Sequence, residues 1–501
     1  MSLVAVMRRR QNINRKEPVV KEQNILKHEC QAIRDVFDRA GDMKKVIVVG
    51  IDPAEREHKA VVCNGHGDML CKPLRVVNDS NGLAYLASQV EALRRKSGTD
   101  WENVIVGIES PGPWAENFAD ALMAESNTVV DIDPRMAKRF RENPTSDNDR
   151  LAAQSVCRCI IQKQGRTREA DDVYFELLMA TRHHLKLTRM RTLTSNRIHA
   201  AADILFPGVL NEEATGITPL GNASLDILEK LSVHRVKRMN VNQLGAWLKR
   251  RKVTKADEKA RRLKALAERT VPPSEQKERM QRKVVEDLVA QYRLLSEQAE
   301  RCVGTMAGLL RQTPHWLLTT IDGIGVRTAA QMAAELFARS RTAGAECKVN
   351  YAGLTSRTHQ TGGDGSPQKT KGRPLSFNRH AKRVVLMAAE SIGKHDKTDL
   401  AEHYKYRQAA GKNAKYSLGR KLIRFARKLN HTPTAYIPAP YRNEVGEILI
   451  HHYYEELAEK LERKWKKYLH ETPPEGRDMM AQWFGWLADE HGVKSTMPAQ
   501  K

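Results

Sequence analysis

Two acidic residues, each at the end of a short apolar run, are the side chains of this sequence best suited to chemistry. Asp52 ends the run VIVVGID, and Glu109 ends the run VIVGIE 57 residues later. Short runs rich in Val and Ile that stop beside Gly or Pro are typical of buried β-strands. Carboxylates at neighbouring strand ends could share a divalent metal such as Mg2+, which activates and stabilises oxygens in phosphodiester chemistry. The alternative interpretation is that both acids only cap strand ends.

The charge of the chain favours a polyanionic partner. Among 501 residues, 84 are Lys or Arg and 60 are Asp or Glu, so the formal net charge is +24. A basic surface of this size is typical of proteins that bind DNA or RNA, because each neutralised phosphate releases counterions. Aromatic residues make up only 6% of the chain. We therefore expect contacts to the nucleic-acid backbone rather than wide base-stacking platforms.

The cysteines and the apolar segments predict a soluble, cytosolic protein. Seven cysteines show no CxxC pair and no regular framework, which is typical of reduced thiols and argues against zinc. No apolar stretch approaches the roughly 18 residues that a membrane-spanning helix needs, and the N-terminus lacks a signal-peptide pattern. We expect no membrane partner.

The segment from Val46 to about Pro134 predicts a mixed sheet. The strings VIVVGID, HKAVVCN and MLCKPLRVV predict three antiparallel strands separated by turns, and NVIVGIES and TVVDIDP predict two later strands. The amphipathic strings GLAYLASQVEALRRKSG and WAENFADALMAES predict the intervening helices. The order βββαβαβ, with acids on the first and fourth strands, is the RNase H-like pattern.

The middle of the chain predicts long helices with a heptad seam. The seam predicts a coiled coil or a long hairpin, and it fits self-association or packing against the chain itself equally well. The strongly basic stretch VKRMNVNQLGAWLKRRKVTKADEKARRLKALAERT fits either a solvated face or an insertion that contacts phosphates. The seam positions, in steps of four and three, are Leu288, Tyr292, Leu295, Ala299, Cys302, Met306 and Leu309.

The last third contains a glycine turn and a glycine-rich loop. GIG at Gly323 to Gly325 joins two helical patterns, as in a helix-hairpin-helix element, whose turn exposes backbone N–H groups to a phosphate. The string YAGLTSRTHQTGGDGSPQKTKGRPLS carries hydroxyls and cations, and KYRQAAGKNAKYSLGRKLIRFARKL predicts a basic helix.

Taken in order, several strings resemble one family, the DEDD transposases of insertion sequences, which include the Piv DNA invertase and the bridge-RNA-guided recombinases. VGIDPA resembles their first acidic motif, VGIESPGPW their second and NDRLAAQSV their third. NRIHA with FPG resembles their middle helical segment, and GIGVRTAAQMAAEL with YAGLTSRTHQTGG resembles their C-terminal domain. The likeness covers roughly residues 46–438, with gaps and an enlarged middle.

The pattern along the chain and the resemblance together predict five segments. These are a basic N-terminal extension (1–43), a RuvC-like RNase H-fold α/β domain (44–165), a helical and coiled-coil region with a basic insertion (166–312), a mostly helical C-terminal transposase domain with a helix-hairpin-helix-like element (313–440) and a helical tail (441–501).

In this family four acids bind Mg2+ (or Mn2+) and a serine attacks the DNA phosphate. The resemblance assigns Asp52, Glu109 and Asp149 as metal ligands and catalytic acids. The third motif normally carries a second Asp three residues after the first, and this chain has Ala152 there. Residues three apart share one helix face, so the change removes a ligand. Asp147 is an alternative source of the missing carboxylate, but it sits on a different part of the turn and fits the motif less well.

The family's serine before glycine corresponds to Thr361 in this chain. Threonine keeps the hydroxyl, but its β-methyl restricts the rotamers and crowds an in-line attack. The fallback hydroxyls are Ser356, Ser366 and Ser376. The alternative interpretation of Thr361 is a turn hydroxyl that bonds to backbone.

The function implied by the resemblance is cutting and rejoining of DNA, guided by a structured noncoding RNA and carried out by a dimer or tetramer. Ala152 predicts that cleavage by this sequence is impaired. Two alternatives stay open: a catalytically silent nucleic-acid-binding descendant, and a RuvC-like structure-specific endonuclease that uses water. The expected nucleic-acid contacts are Lys369, Lys371, Arg373, Arg420, Lys421, Arg424 and Arg427.

Overall fold

The computed structural model describes residues 30–109, 115–124, 128–141, 149–168, 172–338, 343–355, 358–359, 369–370, 377–395, 398–438, 441, 447–470 and 477–497. The chain divides into two compact units, Met1–Ala170 and Asp171–Lys501. Over the described ranges, no helix combines the length and apolar character that crossing a membrane requires.

The first unit is built around a six-stranded mixed sheet, as the sequence predicts for its first five strands. The strand order is β3-β2-β1-β4-β5-β6; β1 pairs in parallel with β4, and β4 in parallel with β5, while the other neighbours are antiparallel. The short strand β6, which pairs with β5, was not predicted. The strands are β1 Ile47–Asp52, β2 Glu57–Asn64, β3 Leu74–Val77, β4 Val104–Glu109, β5 Thr128–Ile132 and β6 Arg166–Thr167.

Helices cover both faces of this sheet, which explains the continuous apolar runs of β1 and β4. Alternate residues of β1 enter two different cores: Val48 packs on one face and Val49 on the other. Helices α1 and α5 cover the first face, and α2 and α3 cover the second. The helices of this unit are α1 Gln31–Ala40, α2 Ser80–Ser97, α3 Glu116–Ala124, α4 Pro134–Arg139 and α5 Asp149–Ile161.

The second unit is organised by a long helical hairpin. Helix α6 (Val173–Leu205) packs along the later helix α12 (Glu275–Arg311). Thr194 of α6 donates a hydrogen bond to Gln291 of α12 (3.4 Å), and the Cys302 thiol donates to the Ala180 carbonyl (3.1 Å), so the two helices run antiparallel. The predicted heptad seam is half-buried at Tyr292 and buried at its other positions. The intramolecular alternative for the seam is therefore the one that the structure shows.

Five short helices between α6 and α12 form a module with its own core. The apolar residues of this module pack with the end of α6 and the start of α12 around Phe206, Leu263 and Val289. The basic stretch noted in the sequence is thus folded into helices rather than extended. The helices are α7 Glu212–Thr215, α8 Asn222–Lys230, α9 Val233–Arg238, α10 Val241–Lys249 and α11 Ala256–Arg269.

The remaining helices share one large core with the other end of the hairpin. Trp316, Phe337, Trp465 and Phe484 are buried in it, so the C-terminal helices contribute to this core. The glycine turn at Gly323 follows a 3-10 helix (Pro314–Thr320), and Gly323, at φ +87°, lies against the backbone of Ser391 and Ile392. The elements are α13 Val326–Phe337, α14 Ala345–Tyr351, β7 Thr358–His359, β8 Lys369–Thr370, α15 Arg379–His395, α16 Asp399–Ala409, α17 Ala414–Leu429, α18 Glu447–Trp465 and α19 Met479–His491.

Candidate active site

Asp52 and Glu109 lie side by side at one edge of the sheet. Strands β1 and β4 are parallel neighbours, and Ile51 pairs with Ile108, so the two acids occupy the next position in each strand. Neighbouring strands are about 4.8 Å apart, which brings the two side chains within reach of one ligand. Both residues are half-buried. The strand register thus brings together two acids that are 57 positions apart in the sequence.

The face that carries the two acids is the face covered by α5. Side chains alternate along a strand, so Asp52 and Glu109 point to the same side as Gly50 and Gly107, which are themselves paired. A Cβ on Gly50 would lie 2.5 Å from the Ala153 carbonyl oxygen, and one on Gly107 would lie 2.4 Å from Ile160 Cδ1. The two glycines therefore let α5 approach the sheet closely.

The N-terminus of α5 points toward the acidic edge. Ala153 lies over Gly50, while Ile161 at the other end of α5 lies near Gly67, beyond the opposite end of β1. Asp149 begins α5 one turn before Ala153 and is exposed. A helix N-terminus favours nearby negative charge, so this arrangement suits carboxylates or a phosphate.

Ala152 occupies a position that faces inward. Its side chain is only 4% exposed, and Asp149 lies three residues earlier on the same helix face. Ala152 lies one turn before Val156, which packs over Gly107, so a carboxylate at position 152 would lie on the side of α5 that covers the sheet. The alanine that the resemblance aligns with a metal ligand is therefore on the buried side of α5.

Two charged or polarisable neighbours define the surroundings of Glu109. The Arg141 guanidinium lies 4.0 Å from the Glu109 carboxylate, and the two side chains are 16% and 13% exposed. Burial, followed by the negative charge of Glu109, raises the pKa of the Cys159 thiol in α5 to about 12. Arg141 was not singled out from the sequence, because nothing in RFREN marks this arginine apart from the other cations.

Asp52 is flanked by a strand partner and by a buried histidine. Lys59 pairs with Asp52 across β1 and β2, and its ammonium donates a hydrogen bond to Glu57, which lowers the pKa of that carboxyl group. His58 is fully buried, and its Nδ1 accepts a hydrogen bond from the Ala54 N–H (3.1 Å), which holds the turn after Asp52. Burial lowers the pKa of His58. This positioning role was also missed in the sequence.

The carboxylate oxygens of Asp52 and Glu109 are donors of the type that Mg2+ and Mn2+ prefer. Over the residues that the structure describes, no three His, Cys, Asp or Glu side chains are grouped closely enough to hold a metal ion. Two acids are therefore adjacent, and Asp149 starts the helix that points to them, but the three do not form a closed ligand set.

The predicted nucleophile lies outside the described residues. Strands β7 and β8 form a small hairpin in which Thr358 pairs with Thr370 and His359 with Lys369, and Thr361 falls in the segment that connects them. The predicted cations Lys371 and Arg373 also lie outside the described residues. Of the predicted loop residues, the structure therefore places only the backbone of Lys369.

The arginines of α17 contact their own chain. Arg420 Nε donates to the Leu354 carbonyl (3.0 Å), and Arg427 Nε donates to the Ala343 carbonyl (3.0 Å). Arg424 forms an ion pair with Glu346 (2.8 Å), in which both side chains are more than half exposed. Lys421 is exposed on the same helix. These arginines hold the segment around α14, and their contact with nucleic acid remains a prediction.

Comparison with known proteins matches two segments of the chain to transposase models. Residues 49–207 match the DEDD transposase model of IS110 elements, and residues 315–405 match the transposase model of the IS116/IS110/IS902 family. The chain is also 24% identical over 361 residues to the insertion element IS116 uncharacterized 44.8 kDa protein of Streptomyces clavuligerus, which corresponds to 69% of this chain and 84% of that protein.

The models that match these two segments describe transposases, which supports a DNA transposase or recombinase as the class of protein. The chain belongs to the IS110 family of DEDD transposases. Proteins of this family typically use a divalent metal ion and act on DNA.

Proposed function

We propose that this chain cuts and rejoins DNA strands with Mg2+ or Mn2+ and a hydroxyl nucleophile of the protein. The observation that carries the proposal is the register of β1 and β4, which sets Asp52 beside Glu109 under the N-terminal end of α5. Asp52, Glu109 and Asp149 would hold the metal, which would polarise the phosphate and stabilise the developing charge.

The nucleophile in this proposal is the hydroxyl of Thr361. Its oxygen attacks phosphorus and expels a deoxyribose hydroxyl, so that a protein–DNA phosphodiester replaces a DNA phosphodiester. The protein–DNA phosphodiester conserves the energy of the broken DNA bond for the rejoining step, in which a DNA hydroxyl displaces the Thr361 oxygen. The cations Lys369, Lys371 and Arg373, which flank this segment in the sequence, would stabilise the phosphorane charge.

A structured noncoding RNA and an oligomer complete the proposal. The family resemblance implies a guide RNA that selects DNA by base pairing, and the net charge of +24 supports a partner with a phosphate backbone. Lys421, which is exposed on α17, would contact such a backbone. Sequencing of RNA that copurifies with the chain tests this part: a recurrent structured RNA supports it, and only random cellular RNA contradicts it.

One observation favours a second function, that of a silent nucleic-acid-binding descendant. Ala152 places a methyl group where the family carries a metal ligand, and it is buried on the inward side of α5. Loss of one carboxylate weakens coordination of a hard cation. In this alternative, the chain binds DNA or RNA and forms no covalent intermediate.

A covalent-adduct assay separates these hypotheses. DNA carrying the ends of the insertion sequence that encodes this chain is incubated with the full chain and Mn2+, and the products are separated on a denaturing gel. We expect a protein–DNA adduct whose attachment site, determined by mass spectrometry, is Thr361. The matched control is Thr361→Val, which keeps the shape of the side chain without its hydroxyl, and Thr361→Ser should raise the adduct yield by relieving the β-methyl crowding.

Each alternative predicts a different pattern in the same assay. A water-using endonuclease would cleave DNA equally well as the wild type and as Thr361→Val, without an adduct. A silent descendant would give neither cleavage nor adduct, even after Ala152→Asp restores the fourth acid. Asp52→Asn should abolish product in every active form, because it removes one of the two register-matched acids.

A further inference from the structure

Three backbone carbonyl groups of the glycine turn surround one lysine of the tail helix α18. The Lys464 Nζ donates a hydrogen bond to each of them. The accepting oxygens belong to Thr319 (2.6 Å), Ile321 (2.9 Å) and Ile324 (3.3 Å). An ammonium group has three N–H donors, so these acceptors can use all of them. We call the three oxygens the carbonyl site.

The local fold explains why carbonyl groups gather at this point. The 3-10 helix ends at Thr320, and the last carbonyl groups of a helix have no partner within that helix. They also form the negative end of the helix dipole, where a cation is favoured. The chain then turns at Gly323 and begins α13 at Val326, which brings the Ile324 carbonyl to the same position. The turn therefore creates a place for one positive charge.

A second lysine of α18 binds the acidic side chain of the same turn. Lys460 forms an ion pair with Asp322 (2.8 Å) and donates a hydrogen bond to the Thr320 carbonyl (3.0 Å). The Lys464 Nζ lies 3.8 Å from the Asp322 carboxylate, farther than from any of the three carbonyl oxygens. Lys460 therefore matches the charge of Asp322, whereas Lys464 is held mainly by carbonyl dipoles.

Other contacts hold the turn in place independently of the ammonium group. Trp465 is fully buried, and its Nε1–H donates a hydrogen bond to the Thr319 hydroxyl (3.1 Å). On another side, Gly323 lies against α15 so closely that a Cβ there would be 2.8 Å from the Ile392 nitrogen. Because neither contact involves Lys464, we expect the carbonyl site to keep its shape when the ammonium group is removed.

We propose that the carbonyl site is a binding site for a monovalent cation, and that the chain fills it with its own Lys464 ammonium group. Proteins coordinate potassium with backbone carbonyl oxygens that replace its hydration shell. A potassium ion and an ammonium group carry the same charge and have similar sizes, so the same oxygens can coordinate either one.

This assignment gives the helical tail a role. The glycine turn lies within the second matched segment, which ends at residue 405, and α18 lies beyond that residue. The tail thus supplies the cation of a turn that belongs to the matched segment. As a consequence, the conformation of the turn does not depend on the monovalent ions in solution. The inference is independent of the divalent-metal chemistry proposed above.

Thermal unfolding of the full chain, freed of nucleic acid by nuclease, tests the inference. Melting temperatures are compared in potassium chloride and in N-methylglucamine chloride at one ionic strength, because N-methylglucamine is too large to enter the site. The wild type should melt at the same temperature in both salts. Lys464→Ala leaves room for an ion, so in N-methylglucamine its melting temperature should fall by about 4–8 °C. Potassium should restore most of this loss.

Two control variants separate ion binding from a loss of packing. Lys464→Met fills most of the space without a charge, so it should be destabilised equally in both salts. Lys466→Ala removes an exposed lysine two residues later and should behave as the wild type does. A potassium-dependent wild type, or an equal loss for Lys464→Ala in both salts, would overturn the inference.

Thallous ions, which replace potassium and scatter X-rays anomalously, locate the site directly. Crystals of Lys464→Ala soaked with a thallous salt should give an anomalous peak between the carbonyl oxygens of Thr319, Ile321 and Ile324. Crystals of the wild type should give no peak there, because the ammonium group occupies the position. A peak in the wild type, or an empty site in the variant, would contradict the assignment.

Discussion

Restoring a carboxylate at position 152 should make the stability of the first unit depend on Mg2+. Ala152 is 4% exposed on the inward side of α5, so the substitution Ala152→Asp introduces a charge into a largely dry position near Asp52 and Glu109. Without a metal this should lower the free energy of unfolding by about 2 kcal/mol. For a unit of this size the melting temperature should fall by roughly 4–8 °C.

Bound Mg2+ should reverse that loss. If the new carboxylate completes the metal site, Mg2+ at about 100 times its Kd stabilises the folded state by about 2.7 kcal/mol, which is comparable to the initial cost. The same variant should increase the yield of the covalent adduct, because an additional ligand strengthens the coordination of the cation.

The assay is thermal unfolding of the full chain, followed by circular dichroism with and without Mg2+. Ala152→Asn is the control, because it has the same shape and no charge, and its Mg2+ response should stay close to that of the wild type. Equal Mg2+ responses in Ala152→Asp and Ala152→Asn would refute the idea that this position faces a metal. Sodium chloride at matched ionic strength separates specific binding from general screening.

Four further perturbations follow from individual residues. His315 is fully buried, and burial lowers its pKa to about 3, so its ring binds protons more readily in the unfolded chain. The free energy of unfolding should therefore be at its full value above pH 6.5 and fall steadily toward pH 3, with a loss of about 2 kcal/mol at pH 5. His315→Gln should flatten this part of a pH–stability profile measured by urea unfolding. Gly50→Ala should lower the free energy of unfolding by about 1–3 kcal/mol, because the new methyl group meets the backbone of the overlying helix, whereas Gly344→Ala, with no atom within 4 Å of its Cβ, should have little effect. Lys421→Ala should weaken DNA binding and reduce its salt dependence by about one ion if this exposed lysine contacts a phosphate, and an unchanged salt slope would show that Lys421 is not in the interface. Arg424→Ala, which removes a largely exposed ion pair, should change the free energy of unfolding by less than about 1 kcal/mol.

The strands of the first unit were predictable because their patterns are local. β1 and β4 are buried on both faces, so they appear in the sequence as uninterrupted apolar runs, and their ends are marked by acids. Strand β6 was not predicted, because two residues that pair at the edge of a sheet carry no periodic signal. The third predicted strand, MLCKPLRVV, is shortened to Leu74–Val77.

The heptad seam illustrates how periodicity leaves the partner open. Its spacing correctly indicated a packed helix, but self-association and intramolecular packing place the same demand on the sequence. The structure fills the seam with α6 of the same chain.

The basic residues show a similar division between sequence and structure. The excess of cations indicates a polyanionic partner, because charge is a property of composition. Which cations stay available depends on tertiary contacts: Arg420 and Arg427 donate to carbonyl groups of the chain, while Lys421 on the same helix is exposed.

By itself, the sequence determined the elements, the charge and the residue types of the site, since these depend on local pattern and composition. Only the tertiary structure decided that Asp52 and Glu109 are neighbours, because register between strands 57 residues apart depends on pairing and not on either strand alone. It also decided that Gly50 and Gly107 admit α5, and that Ala152 faces inward. Relations between distant residues arise from packing, which no single segment encodes.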